Sequence, residues 1–334
     1  MCIGLITLAE VYLHLFWDQQ EVLDVIYEPN YFFTDSDGIT KALPNGRYHS
    51  VCKRIADGQT IYDTIYSIDQ FSRRITPIGS RENVKKFLLF FGGSFTFGEG
   101  LRDNETIPFF IGESVKNYMT YNYGFQGHSP AEMLIKLQTK VLPEEIPEKD
   151  GILIYTYIDS HILRVIGSMR VAGTWGRNRP YFYLADNGNL RRNGDFATGR
   201  PRLTAVYQFL VQSKILQLIN LDIPLWITDK HLHLCARVIE EAAQLYHKQF
   251  PSSNSYVLIY PGSIYGNRLK RFLINKEIGF LDYTNLFDHR DPEYVLAPED
   301  IHPNANATQA IARKVVQDLG LEEKTGNYPL GLTQ

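Results

Sequence analysis

The pattern of apolar and polar positions divides the chain into a β-rich first part and a longer second part. Residues 60–68 alternate between apolar and polar side chains, which predicts a strand over Thr60–Ile68. From residue 85 onward, short apolar runs are typical of strands buried in a parallel sheet. The strands predicted there are Lys86–Phe91, Tyr118–Asn122, Ile152–Tyr157, Ile223–Thr228, Ser255–Tyr260 and Phe280–Tyr283.

Helical periodicity fills the intervals between these strands. Ser129 precedes Pro130 and stands three residues before Glu132, which is the Ser-x-x-Glu capping box that starts a helix. The other helices predicted by period are Thr106–Asn117, Leu203–Asn220, Cys235–Gln249, Asn267–Asn275 and Asn304–Leu319. Strands that alternate with helices predict an α/β fold with a mostly parallel sheet covered on both faces.

These patterns divide the chain into three segments, and the second segment contains an insertion. Residues 1–80 form an N-terminal helix and a β-rich lead-in, residues 81–320 form the main domain, and residues 321–334 form a C-terminal tail. Residues 159–202 interrupt the alternation as a long aromatic and Arg-rich insertion, which is either a lid or a structural wrap.

The N-terminal stretch Ile3–Trp17 is apolar but carries Glu10 and His14. It is too short for a clean membrane span, and it lacks the basic region and cleavage site of a signal peptide. We expect a helix that lies against the domain or on a membrane surface.

Composition narrows the partners. The chain has 334 residues, is 44% hydrophobic and carries a formal net charge of −3 without a basic block, which argues against nucleic acid. The three cysteines are scattered and form no CxxC pair, so neither a zinc knuckle nor a disulfide framework is indicated. Aromatic residues reach 13%, which suits sugars and other amphipathic ligands but also plain packing.

Candidate chemistry begins where the first strand of the main domain ends. The run Gly92-Gly93-Ser94 places a serine at the carboxyl end of a strand, where ligands bind in parallel sheets. The run matches neither the Walker nor the GxGxxG phosphate loops, and it also misses the GxSxG elbow. His302 lies in a loop before a helix, with Glu299 and Asp300 three and two residues upstream. A serine, a histidine and a carboxylate are the parts of an activated nucleophile.

A second loop follows the second strand. Gly124 and Gly127 precede the Ser129 helix and leave backbone N–H groups open, and these can face an oxyanion. The alternative is an ordinary strand-to-helix turn that needs glycine geometry.

Together these residues resemble the SGNH/GDSL hydrolase superfamily. Gly92-Gly93-Ser94-Phe95-Thr96 is similar to its first block, Asn122–Gly127 to its second, and Glu299–Asn304 to its last. The resemblance covers about residues 81–318. It implies a three-layer α/β/α sandwich with a five-stranded, mostly parallel sheet, and ester hydrolysis or acyl transfer without a metal or other cofactor. It also implies that the N–H groups of Ser94 and Gly127 form the oxyanion hole.

The chain departs from the family pattern at two places. Ile158 stands where the third block supplies an Asn to the oxyanion hole, and the loss of one such donor typically lowers the rate about 10²–10³-fold. His161, His128 or Asn122 are the candidate substitutes. The family spaces its Asp three residues before the His, where this chain has Glu299, so either Glu299 or Asp300 can orient His302.

The resulting hypothesis is a serine esterase, deacetylase or O-acyltransferase that acts on a small-molecule, carbohydrate or lipid ester. Its catalytic residues are Ser94, His302 and Asp300 or Glu299. The candidate substrate-binding residues are Asn122, His128, Asp159, His161 and Arg164. The rival hypotheses are a non-catalytic binding module on the same fold, for which Ile158 marks a decayed site, and a flavodoxin-like phosphate binder that uses residues 92–100.

Overall fold

The computed structural model describes residues 2–16, 21–79, 81 and 84–321. The predicted C-terminal tail, residues 321–334, lies outside the described residues except for Leu321. The strands, numbered along the described chain, are β1 (Leu23–Glu28), β2 (Phe32–Thr34), β3 (Thr40–Ala42), β4 (Gly46–Arg54), β5 (Thr60–Ile68), β6 (Lys86–Phe91), β7 (Tyr118–Asn122), β8 (Asp150–Tyr157), β9 (Pro180–Leu184), β10 (Leu190–Asp195), β11 (Asn254–Ile259), β12 (Gly279–Asp282), β13 (Val295–Ala297) and β14 (Asp300–Pro303).

The helices are numbered in the same way, and one 3₁₀ turn over Asp103–Glu105 precedes the third. They are α1 (Cys2–Phe16), α2 (Ser94–Phe97), α3 (Ile107–Ser114), α4 (Pro130–Gln138), α5 (Leu142–Glu145), α6 (Ser160–Ile166), α7 (Met169–Gly173), α8 (Phe196–Gly199), α9 (Pro201–Leu210), α10 (Lys214–Leu218), α11 (Asp229–Gln249), α12 (Gly266–Leu273) and α13 (Ala305–Asp318).

The central sheet has five parallel strands in the order β12-β11-β8-β6-β7. Because side chains alternate across a strand, β6 buries Phe87, Leu89 and Phe91 on one face and Leu88 and Phe90 on the other. The first face packs against α4, α6, α11 and α12, and the second against α3 and α13. The predicted α/β/α sandwich with a five-stranded parallel sheet is confirmed.

The predicted strand over Ile223–Thr228 is wrong. The segment is irregular and leads into α11. Pro224 has no backbone N–H to give to a sheet, and Leu225 and Trp226 are exposed. The single helix predicted over Leu203–Asn220 is two helices, α9 and α10, because Ser213 caps a new start by accepting from the N–H of Leu216.

The lead-in is β-rich, as predicted. Strands β1, β4 and β5 form an antiparallel sheet, and β2 pairs with β3 as a hairpin. The sheet packs an aromatic cluster against Phe97 of α2 and against Phe125. The members of the cluster that come from the lead-in are Tyr31, Tyr48, Tyr66 and Ile68, together with Ala42.

The N-terminal helix contacts the rest of the protein. Glu10 of α1 accepts hydrogen bonds from the Ser213 hydroxyl and from the N–H groups of Lys214 and Ile215 at the start of α10. Within the described residues, the helices are either too short or too polar to cross a bilayer.

Arg74 joins the lead-in to the helix that carries Ser94. Its side chain is fully buried, and it donates to the carbonyls of Phe97 and Leu101 at 2.9 and 2.5 Å and to the Asp103 carboxylate at 3.1 Å. The guanidinium also lies 4.5 Å from the ring centroid of Tyr66. One residue therefore satisfies several carbonyls just beyond α2.

We predict that Arg74→Ala lowers the free energy of unfolding by about 3–5 kcal/mol, because it leaves buried carbonyls and Asp103 without their partner. Denaturant unfolding measures the change. The control is Arg191→Ala at an exposed position of β10, which should change stability by less than about 0.5 kcal/mol. A similar small effect at Arg74 would contradict its bridging role.

Candidate active site

Ser94 lies where β6 turns into α2. Gly92 has φ +155°, and a Cβ there would lie 2.2 Å from Oγ1 of Thr96, so a side chain does not fit. Gly93 is the N-cap residue and Ser94 is the first residue of α2, with only 6% of its surface exposed. The glycine pair thus allows the chain to turn sharply and present the hydroxyl at the carboxyl edge of the sheet.

The structure brings His302 and Asp300 to Ser94. Nε2 of His302 lies 2.9 Å from Oγ of Ser94, and Nδ1 of His302 lies 2.6 Å from Oδ1 of Asp300. An ionised carboxylate only accepts, so the Nδ1–H donates to Asp300. Nε2 is then left with its lone pair and accepts from the Ser94 hydroxyl. The three side chains form one continuous hydrogen-bonded chain.

Asp300 is suited to remain ionised. It is 8% exposed, and burial alone would raise its pKa. The hydrogen bond and charge of His302 outweigh burial and hold the pKa of Asp300 below its ordinary value. The Asp300 carboxylate also accepts from the His302 backbone N–H at 3.1 Å, so it holds both the backbone and the ring of His302.

Glu299, the other candidate acid, points elsewhere. Its carboxylate pairs with Arg54 of β4, with Nε–Oε1 and Nη2–Oε2 distances of 3.2 Å. The partner is 245 residues away in the sequence, so no local pattern signals it. The structure therefore places Asp300, not Glu299, against the imidazole.

His302 does not lie in the predicted loop: it belongs to β14, which pairs with β13 and leads directly into the cap of α13. Asn304 accepts from the N–H groups of Asn306 and Ala307 and donates to the carbonyls of Glu293 and Val295. The ring of Phe95 contacts the His302 ring edge-on at 5.3 Å between centroids. The imidazole is therefore fixed by both backbone and packing contacts.

Two arginines hold the loop that carries Gly127. Arg179 donates to the carbonyl of Gln126 at 3.4 Å, and Arg164 donates to the carbonyl of His128 at 2.7 Å. The N–H of Gly127 shares its peptide with the Gln126 carbonyl and points the opposite way, away from Arg179. Within the described chain, the N–H groups of Gly127 and Ser94 donate to no other residue. Both residues line the same cleft.

Beneath this loop lies a buried ion pair. Glu132 accepts from Arg179 at 2.8 Å and from the N–H and hydroxyl of Ser129 at 2.8 and 2.7 Å, which is the predicted capping box. Burial alone would raise the pKa of Glu132, but the charge of Arg179 outweighs it and lowers the pKa to about 2.

Three of the predicted site residues make structural contacts instead. Asn122 donates to the Thr96 carbonyl at 2.9 Å and accepts from the Gly124 N–H. Asp159 accepts from the hydroxyls of Tyr157 and Ser263, and from a backbone N–H. His128 places Nε2 2.6 Å from the Thr40 carbonyl, so this nitrogen is its donor and is occupied. Burial lowers the pKa of His128 to about 4.

The cleft above Ser94 has a volume of about 410 Å³. Sequence reasoning missed much of its wall: most of the missing residues come from the lead-in and the insertion, and Glu99 and Gln126 come from the main domain. Glu99 is 4% exposed and accepts from the hydroxyls of Tyr27 and Tyr62 at 2.9 and 3.1 Å. The other residues that were missed are Val25, Phe32, Thr40, Gln126, Trp175 and Arg179. Among the described residues, no group of three or more His, Cys, Asp or Glu side chains is arranged to hold a metal ion.

Comparison with known proteins gives distant structural relatives only. No family model and no curated protein sequence matches the chain. A lipolytic protein of the G-D-S-L family from Veillonella parvula is 13% identical over 70% of this chain and 97% of its own, with a TM-score of 0.41. An acetyl xylan esterase from Butyrivibrio proteoclasticus is 9% identical over 91% of this chain and 86% of its own, also at 0.41.

LAE5, an α/β hydrolase from the metagenome of Lake Arreo, is 13% identical over 73% of this chain and 98% of its own, with a TM-score of 0.41.

We predict that Glu132→Gln destabilises the protein at neutral pH and that the stability of the variant falls less steeply as the pH is lowered. The folded pKa of about 2 lies below the ordinary value of 4.5, so wild-type stability is lost as the pH falls through this range. The variant leaves the Arg179 cation without its carboxylate partner, which costs about 3–5 kcal/mol, and it has no carboxyl to titrate at position 132. Thermal melts at pH 7, 4 and 3 measure both effects. Glu144→Gln, at an exposed position of α5, is the control. An unchanged acid dependence in Glu132→Gln would contradict the pair.

Proposed function

We propose that this protein is a serine-dependent hydrolase of carboxylic esters. The observation that carries the proposal is the hydrogen-bonded chain from Ser94 through His302 to Asp300, which opens onto a cleft beside two unpaired backbone N–H groups. The nucleophile, the base and the group that orients the base have the mutual geometry required for acyl transfer.

In the first half of the reaction, Oγ of Ser94 forms a bond to the ester carbonyl carbon while its proton passes to Nε2 of His302. The electron pair of the carbonyl moves to oxygen, and the N–H groups of Ser94 and Gly127 stabilise this oxyanion. Asp300 stabilises the imidazolium. When the intermediate collapses, the bond to the alcohol breaks and the alcohol leaves with the proton from His302.

In the second half, a water molecule takes the place of the alcohol. His302 removes its proton as the oxygen attacks the acyl carbon, and the acid leaves as Ser94 recovers its proton. A second alcohol in place of water would make the same residues an O-acyltransferase.

The cleft favours an acyl group on a carbohydrate or other amphipathic alcohol. Tyr27, Tyr62 and Trp175 provide aromatic surface, while Glu99 and Arg179 provide groups that hydrogen-bond to hydroxyls. A deacetylase or esterase that acts on such an ester fits this wall.

A non-catalytic binding module on the same fold is the second candidate, and Ile158 favours it. Ile158 is half-buried and packs against the cluster of α3 and α13, so it gives no amide to an oxyanion. Reaction with a fluorophosphonate probe separates the two candidates, because only an activated serine is phosphonylated.

We predict that Ser94→Ala abolishes both labelling by a fluorophosphonate and hydrolysis of p-nitrophenyl acetate, with a thermal melt close to that of the wild type. The reason is that the variant removes only the hydroxyl that accepts the acyl group. Ser252→Ala, at an exposed position, should label and turn over like the wild type. Wild-type turnover in Ser94→Ala would remove Ser94 as the nucleophile.

Asp300→Asn should lower kcat by about 10³–10⁴, because an amide favours the wrong tautomer of His302. Glu299→Gln should lower kcat by less than tenfold, since its carboxylate contacts Arg54 and not the imidazole. Steady-state hydrolysis of p-nitrophenyl acetate by the two variants is the measurement. Equal, small losses would show that neither carboxylate orients the base.

A further inference from the structure

His161 is a buried histidine with one nitrogen that has no partner. It lies in the first turn of α6, directly after β8, and is 1% exposed. Its Nδ1 lies 2.6 Å from the hydroxyl of Tyr155, whereas its Nε2 is buried without a hydrogen bond in the described structure. A buried polar atom left unpaired is destabilising and calls for an explanation.

The contact with Tyr155 fixes which nitrogen carries the proton. Burial raises the pKa of the Tyr155 phenol far above its ordinary value and lowers that of His161 far below its own, so both groups are neutral. If Nδ1 carried the proton, both the phenol O–H and Nε2 would be left without a partner among the described residues. Donation from the phenol to Nδ1 leaves only one unpaired group, so we assign the imidazole proton to Nε2. His161 therefore presents an unused N–H donor.

This donor lies beside the nucleophile. A Cβ built on Gly93 would be 3.0 Å from Nε2 of His161 and 3.2 Å from the carbonyl oxygen of His128. Gly93 immediately precedes Ser94, and His128 immediately follows Gly127. Nε2 of His161 thus borders the space beside Gly93, together with the His128 carbonyl and with Nη1 of Arg164, which donates to that carbonyl. The missing side chain of Gly93 leaves the space that the ring requires.

The other polar groups proposed for this role are occupied. The side-chain amide of Asn122 donates to the Thr96 carbonyl, and Nε2 of His128 donates to the Thr40 carbonyl. Ile158 has no donor. We propose, on the basis of the proposed function, that the Nε2–H of His161 is the third donor to the oxyanion. The SGNH family has an Asn amide for this purpose at the position of Ile158, and here the imidazole, held by Tyr155, would take its place.

The test separates a transition-state contact from a structural role. His161→Phe retains an aromatic ring of similar size but has no donor, so it should lower kcat for p-nitrophenyl acetate by about 10²–10³ with KM within about threefold. The Ki of phenylboronic acid, which forms a tetrahedral anionic adduct on serine, should rise by a similar factor. His161→Gln should retain more activity than His161→Phe because its amide can donate.

Tyr155→Phe and His247→Ala complete the set. Tyr155→Phe removes the hydroxyl that keeps the proton of His161 on Nε2, so it should lower kcat about tenfold. His247 contacts Ser255 near the amino end of β11, away from the carboxyl edge that carries Ser94, so its replacement should leave kcat unchanged.

Two outcomes overturn the inference while the proposed function stands. One is labelling of Ser94 by the fluorophosphonate with kcat of His161→Phe within threefold of the wild type. The other is a lower kcat accompanied by an unchanged Ki for phenylboronic acid, since the ring would then act only through structure. Failure of the proposed function has a different signature: Ser94 is not labelled and Ser94→Ala retains wild-type turnover.

Discussion

The parallel pairing of β6 with both β7 and β8 is the constraint on which the site depends. Phe90 is opposite Asn122, the last residue of β7, and Phe91, the last residue of β6, is opposite Tyr155. Strands β6 and β7 therefore end at nearly the same level, and β8 runs two residues further. The chain leaves β6 at the Ser94 helix, β7 at the Gly127 loop and β8 at α6, which carries His161 and Arg164. Parallel strands present their carboxyl ends at one edge, so these three separate segments come together there.

Charged and polar side chains lie out of water at the same edge of the sheet, and the free-energy cost of their desolvation must be offset by other contacts. Glu132 and His128 are buried near Gly127 and Arg164 is half-buried there, so water solvates their charges and dipoles poorly. Burial lowers the pKa of Arg164 to about 10, with the nearby charge of Arg179 adding to the effect. The Glu132–Arg179 pair and the carbonyls of the loop compensate these groups. Among the described residues, the N–H groups of Ser94 and Gly127 have no acceptor beside these charges, which is the arrangement that the proposed oxyanion hole requires.

Much of the fold follows from local signals. The alternation in Thr60–Ile68 and the capping box at Ser129 are each decided by neighbours in sequence, and the structure has both. The strand prediction over Ile223–Thr228 was wrong because β-branched and apolar residues also occur in irregular segments. Pro224, which cannot donate to a sheet, was the residue that argued against a strand. The position of Glu299 was not predictable, because it depends on Arg54 across 245 residues. Nor was the contact of His161 with Tyr155, since a spacing of six residues across a strand end has no fixed geometry.

The lead-in and the insertion differ from the central sheet in what they contribute. Tyr27 of β1 and Tyr62 of β5 line the cleft directly and also donate to the buried carboxylate of Glu99, which follows α2. Trp175 and Arg179 reach the cleft from the insertion, and the cation lies 5.0 Å from the indole ring. The carboxyl edge of the central sheet positions Ser94 and the Gly127 loop, and the β13–β14 hairpin positions Asp300 and His302. The lead-in and the insertion supply most of the remaining wall of the cleft. Substitutions in the lead-in and the insertion should therefore alter which ester fits the cleft and leave the geometry of Ser94 and His302 intact.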